Sequence, residues 1–240
     1  MCKPCKDIST VGFICPMDCE LDAVRRLLEK TETVRYAGMD FYKGSIAGHS
    51  AVAVKCGVGK VFAAMAAEAM ILGFSPDLII NTGVAGNLAD GLSIGDVVVS
   101  SSVVQHDMDT SPLGDPVGLI SGINKVYLES DADASALMCR VLDSLGIRYV
   151  QGVVASGDQF VATQEKRDFI RQAFGAACCE MEGAAVGQVC YASGVRFLIL
   201  RALSDDANGH SPDDFPAYCV KVSETSSKVI AAFMKAIPTL

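Results

Sequence analysis

Short apolar runs alternate with longer segments of helical periodicity along most of the chain. The run at 197–203 is almost continuously apolar and the run at 78–82 begins with three apolar residues, a pattern typical of strands buried on both faces of a sheet. Pro16 suits the first turn of a helix, and Leu21, Val24 and Leu28 then fall on one helical face. The pattern predicts strands over 10–15, 36–46, 50–55, 78–82, 97–104, 150–155 and 197–203, and helices after Pro16 and over 61–72, 132–145, 165–174, 179–190 and 214–237.

Strands that alternate with helices predict an α/β fold, here a three-layer α/β/α arrangement. The turn-like Gly38 and Gly48 favour a β-meander after the first helix, so the twisted sheet is expected to be mixed. No linker, internal repeat or low-complexity tract divides the chain. We therefore expect one domain over 10–240, preceded by a flexible N-terminal extension over 1–9.

Composition narrows the class of protein. The chain has 240 residues, 50% of them hydrophobic, which is enough for a substantial core. A formal charge of −8 without any basic cluster argues against a nucleic-acid or membrane-surface partner. No apolar run reaches the roughly 18 residues of a membrane span, and the N-terminus lacks the apolar core of a signal peptide. The expectation is a cytoplasmic protein.

Ten cysteines are present, and several lie inside apolar segments, where free thiols pack as small hydrophobic groups. Cys2 and Cys5 have the spacing of half a zinc site. No second pair follows, and the three histidines are scattered. We therefore expect no metal and no cofactor.

Carboxylates mark two predicted element ends. Glu180 and Glu182 open the predicted helix over 179–190, and Asp205 follows Ser204 where an apolar strand stops. In open α/β sheets ligands bind beyond the carboxyl ends of strands. The alternative is that the glutamates only complement the helix dipole and that Asp205 caps the next segment. Both interpretations stay open on these residues alone.

Four loops are candidates for ligand contact. The glycine-rich stretch 56–60 precedes a helix but lacks the full phosphate-binding patterns, and we interpret it as a tight turn. The 83–88 loop follows a strand and is expected to face a ligand. Phe160 is either a core aromatic or a stacking surface for a flat ring. The loop after His106, to about residue 122, is long enough to predict a lid or an interface.

Six short blocks stand in a fixed order: Met17-Asp18-Cys19-Glu20, Gly57-Val58-Gly59-Lys60-Val61, Asn81-Thr82-Gly83-Val84-Ala85-Gly86, Ser156-Gly157-Asp158-Gln159-Phe160, Glu180-Met181-Glu182 and Arg201-Ala202-Leu203-Ser204-Asp205. With these blocks the chain resembles the 5′-methylthioadenosine/S-adenosylhomocysteine nucleosidases over nearly its whole length. The resemblance implies a nucleoside phosphorylase-like fold and hydrolysis of an N-glycosidic bond, giving adenine and a 5-thioribose sugar in methionine salvage and methyl-cycle recycling.

The resemblance also assigns the chemistry. Adenine is a poor leaving group as an anion, and the family's general acid falls at Asp205, which would protonate N7 with help from Ser204. Glu20 matches the carboxylate that orients the attacking water, and Arg201 matches the arginine that holds this arrangement. Glu182 would bind the ribose hydroxyls near an oxocarbenium-like sugar.

The remaining positions would bind the rest of the nucleoside. Met181 would pack on the sugar, Phe160 would stack on adenine, and the Val161 backbone would contact the adenine edge. Phe215 would line the 5′ pocket together with the 105–120 loop, the latter across a dimer interface. Val84 stands where well-known relatives carry a serine, which changes the coordination of the water. The other implied substrate-binding residues are Met17, Ala85, Gly86 and Glu180.

Other readings of the sequence compete with this one. Phosphorylases of the same fold bind phosphate with an arginine in a Gly-Asp-Pro-x-Arg turn after the first strand, whereas here that turn carries Asp18 and Glu20, which favours water as nucleophile. A hydrolase of futalosine or deoxyadenosine is an alternative. So is a noncatalytic nucleoside-binding protein, although it would be expected to have lost Glu20 or Asp205.

A homodimer is the expected assembly. The long loop carries apolar side chains that a fully solvated loop would not need. These are Leu113, Val117, Leu119 and Ile120.

Overall fold

The computed structural model describes residues 8–205 and 215–238, without the side chains at 205, 215–218 and 220–221. Cys2, Cys5 and the side chains of Asp205 and Phe215 lie outside the described part. The strands are β1 (Thr10–Cys15), β2 (Glu29–Tyr36), β3 (Met39–Ile46), β4 (His49–Lys55), β5 (Leu78–Asn87), β6 (Val97–Gln105), β7 (Leu128–Glu129), β8 (Tyr149–Ser156), β9 (Ala176–Glu180) and β10 (Arg196–Asp205). The helices are α1 (Asp18–Arg25), α2 (Lys60–Phe74), α3 (Ala132–Leu145), α4 (Gln164–Phe174), α5 (Gly183–Ser193) and α6 (Phe215–Ala236).

The sheet is mixed, as predicted, and part of it closes on itself. Its strand order is β10-β6-β8-β9-β5-β1-β4-β3-β2, and β10 also pairs with β5. The strands β10, β6, β8, β9 and β5 therefore form a ring, from which β1, β4, β3 and β2 extend as an open sheet. β1 pairs in parallel with both β4 and β5, and β5 pairs in parallel with β10.

Helices cover both faces, which confirms the three-layer prediction. In β10, Phe197 and Ile199 pack in the cluster that contains α2 and α5 residues, whereas Leu198 and Leu200 pack in the cluster with α1, α3 and α6 residues. This alternation follows from the period of two along a strand. Both faces are apolar because both are buried, as in most parallel strands.

Three predicted element boundaries are wrong. The predicted strand over 36–46 includes the last residue of one strand and the whole of the next, since β2 ends at Tyr36 and β3 runs from Met39 to Ile46. The predicted loop over 83–88 is largely strand, because β5 continues to Asn87 and pairs there with β9 and β10. The predicted helix over 179–190 contains a strand end, since β9 runs to Glu180 and α5 begins at Gly183. The misses at β5 and β9 reflect pairing with strands distant in the sequence, whereas the miss at β2 and β3 is a local hairpin.

The N-terminal boundary of the domain also differs from the prediction. Ile8 is fully buried in the α1/α3/α6 cluster, although 1–9 was expected to be a flexible extension. Ser9 donates its backbone N–H and its hydroxyl to the carboxylate of Asp77, at 2.9 and 2.8 Å. The folded unit therefore includes these two residues. None of the described helices combines the length and the apolar character needed to cross a bilayer.

Candidate active site

A pocket of about 210 Å³ opens at the carboxyl ends of β1, β5, β9 and β10. This is the rim at which α/β sheets bind ligands. All predicted site residues with described side chains line it: Met17, Glu20, Val84, Ala85, Gly86, Phe160, Val161, Glu180, Met181, Glu182, Arg201 and Ser204.

Arg201 is the buried centre of the polar wall, with 1% of its surface exposed. The β10–β5 register sets Arg201 opposite Gly83, and Asn81 lies two residues earlier on the same face. The guanidinium donates to Asn81 Oδ1 and forms an ion pair with Glu180. Its Nη2 also lies 3.5 Å from Glu182 Oε2. A Cβ at position 83 would lie 2.4 Å from Arg201 Nη1, so glycine is needed to make room for the guanidinium.

Glu180 ties this arginine to the start of α5. Its carboxylate accepts the backbone N–H of Glu182 at 3.0 Å and that of Gly183 at 2.8 Å. It also accepts the hydroxyl of Ser156, whose oxygen in turn accepts the N–H of Ala184 at 2.7 Å. The N–H groups at a helix start have no intrahelical partner, and a carboxylate there is favourable. For Glu180, complementing the helix N-terminus is therefore a real role.

Glu182 is held by the glycine-rich turn before α2. Its Oε1 accepts the N–H of Gly59 at 2.8 Å, and the next N–H, of Lys60, donates to Asp158 Oδ1 at 2.7 Å. Gly57 and Gly59 have φ angles of 94° and 104°, which only glycine adopts readily. The tight-turn prediction is correct, and two of the backbone donors in this turn serve carboxylates of the chain itself.

Glu20 reaches the pocket from the first turn of α1. Its Oε2 accepts the N–H of Met17, the residue before the helix, at 2.8 Å. Its Oε1 accepts the N–H of Val84 at 3.1 Å, across the pocket wall. Glutamate at the third helical position commonly bonds back to the N-cap in this way. The carboxylate is thus positioned by two backbone groups and by no side-chain hydrogen bond among the described residues.

Burial raises the pKa of two of these carboxylates. Burial raises the pKa of Glu20 to about 7, and the charge of Arg201 offsets only part of this effect. Burial also raises the pKa of Glu182, again opposed by Arg201 and reinforced by Glu180. Three carboxylates and one guanidinium face the same space, so the described polar wall is rich in negative charge.

Much of the remaining pocket lining is apolar. Phe160 is 65% exposed, so the core-aromatic alternative is wrong and its ring is available to a ligand. Val161 is nearly buried, and Met181 and Val84 add further apolar side chains to the lining. An apolar cavity with a few converging polar groups is typical of small-molecule sites.

The β10 strand is irregular where it meets the pocket. Its pairing with β5 shifts between Leu203 and Asp205, so that Asp205 pairs with Gly86 and Ser204 lies at the irregularity. Such bulges redirect side chains near active sites. Ser204 is buried, and its hydroxyl donates to Ala85 O at 3.4 Å. The backbone of Asp205 therefore lies beside a pocket-lining residue.

Sequence reasoning missed several residues of the site. Pro16, Val58, Gln159 and Cys179 also line the pocket. Pro16, Gln159 and Cys179 each adjoin a predicted site residue, and Val58 lies within one of the motif blocks, so proximity to these motifs was the available signal. Among the described residues, no group of three or more His, Cys, Asp or Glu side chains is arranged to hold a metal ion.

Comparisons with known proteins agree with this geometry. The sequence profile of the Phosphorylase superfamily matches residues 10–235. A 5′-methylthioadenosine/S-adenosylhomocysteine nucleosidase of Shewanella halifaxensis is 37% identical over 227 residues, covering 94% of this chain and 98% of the relative.

Two solved structures show the same architecture. An S-adenosylhomocysteine nucleosidase of Streptococcus pyogenes, in complex with 5-methylthiotubericidin, is similar with a TM-score of 0.92 and 32% identity, covering 97% of this chain and 99% of that one. A futalosine hydrolase of Helicobacter pylori has a TM-score of 0.89 and 32% identity, covering 94% of this chain and 97% of that one. The chain belongs to the 5′-methylthioadenosine/S-adenosylhomocysteine nucleosidase family of the Phosphorylase superfamily.

Proposed function

We propose that the chain hydrolyses the N-glycosidic bond of 5′-methylthioadenosine or S-adenosylhomocysteine, releasing adenine and the 5-thioribose sugar. The observation that carries this proposal is the Glu20 carboxylate, which is buried at the pocket wall with only backbone partners and has a pKa raised to about 7 by burial. A base with such a pKa can take a proton from water near neutral pH. The names of the relatives supply the nucleoside class.

Water suits this pocket better than phosphate as the nucleophile. Arg201 is the one cationic side chain among the described lining residues, and its guanidinium already contacts Asn81, Glu180 and Glu182. A phosphate dianion would meet three carboxylates without a free cation. The electrostatics therefore favour a neutral nucleophile.

The same carboxylates suit a cationic sugar. Glycosidic cleavage passes through an oxocarbenium-like transition state, which negative charge stabilises. Glu182 lies in the pocket wall, with one oxygen on the Gly59 N–H and the other near Arg201. We assign it to the ribose hydroxyls, with Met181 packed against the sugar and Arg201 reducing the repulsion between the carboxylates.

The purine would bind on the apolar side. The exposed Phe160 ring offers a stacking surface, and we assign the contact with the purine edge to the backbone of the pocket-lining Val161. We assign the protonation of N7 to Asp205, assisted by Ser204. The support from the described backbone is that Asp205 follows the pocket-lining Ser204 and pairs with Gly86.

The first test is an adenine-release assay with both nucleosides in phosphate-free buffer. We expect adenine and a free reducing sugar, at a rate that added phosphate leaves unchanged. Release that rises in proportion to phosphate, with a sugar 1-phosphate as product, would contradict hydrolysis. Futalosine is a third substrate arm, motivated by the futalosine hydrolase among the structural relatives. Faster turnover of futalosine than of either thio-nucleoside would reassign the substrate.

A second test separates the acid from the base. Asp205→Asn keeps the shape but has no proton for N7, and Glu20→Gln removes the base. Both variants should lose about 10²- to 10⁴-fold in kcat on the nucleosides. A p-nitrophenyl 5-thioriboside has a leaving group that departs without protonation. Asp205→Asn should recover on it, whereas Glu20→Gln should stay slow. Equal, unrescued losses would mean that Asp205 is a structural cap.

We also propose that the chain acts as a homodimer, but through a surface other than the one first expected. Of the four apolar loop residues, Ile120 is buried, Val117 packs against its own chain, Leu119 is partly buried and Leu113 is exposed at 84%. The α2 helix instead presents an apolar face, with Val61, Met65 and Leu72 exposed by 69%, 50% and 66%. Contiguous exposed apolar side chains of this kind mark interaction surfaces.

The dimer proposal is tested by light scattering at micromolar concentration. Leu72→Glu should shift the mass from dimer to monomer, because it places a charge in the apolar α2 face. Leu145→Glu is the matched control, since it changes an exposed leucine at the end of α3. A wild-type monomer, or equal behaviour of the two variants, would count against this interface. The cytoplasmic location stays a prediction.

A further inference from the structure

A second, much smaller cavity lies behind Glu20, between α1, β5 and α6. Glu20 and Val84 line both this cavity and the main pocket, so they form the wall that separates the two. The rear wall comes from α6 and carries the hydroxyl side chains of Ser223, Ser226 and Ser227. Hydroxyl groups directly behind the candidate base are not needed for packing alone.

Two hydroxyl groups in the wall of this cavity lack a strong protein partner among the described residues. Thr82 Oγ1 and Ser223 Oγ are buried, with both residues exposed by less than 5%, and the nearest partner of either is the Cys19 thiol beside Ser223, a weak hydrogen-bonding group. Ser227, by contrast, donates to Ala23 O at 2.9 Å. Buried hydroxyl groups are nearly always hydrogen-bonded, and an unsatisfied one is costly. Two such groups around one cavity therefore indicate a shared polar ligand.

The cavity has the size of a single water molecule. Its volume is about 10 Å³. A buried water needs roughly 10–15 Å³ and two to four polar partners. Thr82, Ser223 and the carboxylate of Glu20 provide three candidate partners. Each Glu20 oxygen already accepts one backbone N–H, yet a carboxylate has about four acceptor positions in all.

We propose that Thr82 and Ser223 hold one buried water molecule behind Glu20, and that this water donates a hydrogen bond to the carboxylate and stabilises its ionised form. The two hydroxyls are then positioning residues, because they act on the reaction through Glu20 and touch no substrate. The inference rests on the proposed role of Glu20 as the base.

The sign of the effect follows from the surroundings of Glu20. A donor to the carboxylate favours the charged form, so losing the water should raise the Glu20 pKa. The charged and titratable groups that act on Glu20 come from β1, α1, the residue after β4, β9, the start of α5 and β10, while the described α6 side chains that line the cavity are serine, valine and isoleucine. These groups are Cys15, Cys19, Cys56, Glu180, Glu182 and Arg201. Thr82→Val alters none of them, whereas Ser223→Ala also removes a hydrogen-bond partner of the Cys19 thiol, so Thr82→Val is the more specific test.

The first experiment is thermal unfolding of Thr82→Val. Valine has the same shape but cannot bind the water. If the hydroxyl is satisfied by water, the variant loses a hydrogen bond, and Tm should fall by about 2–4 °C. If the hydroxyl is truly unpaired, the substitution removes a buried polar group without a partner. An unchanged or raised Tm would overturn the proposal without reference to activity.

The second experiment is the pH profile of kcat/KM for Thr82→Val and Ser223→Ala. The acid limb should move to higher pH by about one to two units, the worth of a hydrogen bond to a charged group. The plateau above it should stay near the wild-type value. Thr82→Ser keeps a hydroxyl and should restore the wild-type limb. Ser135→Ala is the control, because it removes a buried hydroxyl that donates to Ser100 O and does not line this cavity.

The outcomes separate the two proposals. A wild-type enzyme that releases no adenine would contradict the proposed function. If the wild type is active and both variants have the same acid limb as the wild type, only the buried-water proposal is contradicted. A parallel loss at every pH would point to a structural role and would overturn the inference as well. A high-resolution crystal structure with density between Thr82 Oγ1 and Ser223 Oγ would support it directly.

Discussion

Glu180 and Glu20 are both buried carboxylates in the wall of one pocket, yet their surroundings differ in kind. Glu180 is paired with the Arg201 guanidinium and accepts two backbone N–H groups and the Ser156 hydroxyl. Glu20 accepts two backbone N–H groups and has no ion pair among the described side chains. The first carboxylate is a fixed part of the scaffold, whereas the second retains free acceptor positions.

The difference teaches that burial alone does not select a catalytic group. A carboxylate with a full set of charged and hydrogen-bonding partners has no acceptor position left for a substrate proton. One that is held by backbone dipoles alone is oriented but still able to exchange a proton near neutral pH. The two glutamates could not be told apart by residue type, only by what surrounds them.

The largest effect, on the free energy of unfolding, should come from removing the Arg201 charge that pairs with Glu180. Arg201→Met would leave two buried carboxylates without their cation, and breaking a buried ion pair costs about 3–5 kcal/mol. Urea unfolding monitored by circular dichroism measures this loss. Arg148→Met is the control, because that side chain is 64% exposed and should change stability by less than about 0.5 kcal/mol. A loss at Arg201 as small as at Arg148 would refute its role as the structural centre.

Glu20→Gln tests the second carboxylate of this comparison. We expect kcat to fall by about 10²- to 10⁴-fold, because the base is lost. Stability should change far less than in Arg201→Met, since the substitution removes a buried charge as well as one acceptor. Asp18→Asn is the matched control in the same helical turn, with a side chain that is 78% exposed. If Glu20→Gln unfolded as readily as Arg201→Met, Glu20 would belong to the scaffold too.

Gly83→Ala tests the space beside Arg201 and Glu20. The added Cβ would lie 2.4 Å from Arg201 Nη1 and 2.9 Å from Glu20 Oε1. Overpacking of this kind costs about 1–3 kcal/mol, and we expect a loss of activity with it. Gly73→Ala makes the same change inside α2, where the nearest atom is the Tyr36 ring edge at 3.1 Å. That control should be neutral or slightly stabilising by chemical denaturation, since alanine favours the helix.

The smallest effect is a pH dependence. Glu20 must be ionised to act as a base, so kcat/KM should rise about tenfold per unit at pH values below about 7 and level off above it. The contribution of Glu20 to stability changes with pH in the opposite direction to its contribution to kcat/KM. Because the folded pKa is raised from 4.5 to about 7, the contribution of Glu20 to stability is complete below pH 4.5 and is lost as the pH rises to 7. Glu20→Gln should lack this component in urea titrations at pH 5 and pH 8, and an identical pH dependence would exclude Glu20 as its source.

Much of the architecture could be predicted because local pattern and tertiary environment agree. The β1 strand and the α3 helix have the predicted bounds, since an apolar run and a helical periodicity leave no competing reading there. The segment around β9 was misassigned because Ala176, Ala177, Cys178 and Cys179 are small residues that fit a buried helix or a buried strand equally well. Pairing with β8 and β5 decides between them, and that pairing is not visible locally.

The candidate site shows the same limit. The motif blocks identified the pocket residues, but not how they are held. Asn81 meets Arg201 from 120 positions away in the sequence, and Gly59 meets Glu182 from 123 positions away. Hydrogen bonds of this range depend on strand register and on the approach of α2 to α5. The exposed charged strand β2 was missed for a related reason, because it has no apolar face to signal a strand.

That strand has a consequence for how the protein behaves at high concentration. The ring closes β10 onto β5, so the run of strands that leaves it ends at β2, whose outer backbone groups are unpaired in the described sheet. An open edge of this kind can add a strand from another molecule and seed aggregation. β2 carries Glu29, Lys30, Glu32 and Arg35, and its pairing with β3 is interrupted between Glu29 and Glu32, where Lys30 has a φ of 52°. Charge and an irregular backbone make this edge a poor template, which keeps the exposed margin of the sheet from recruiting other chains.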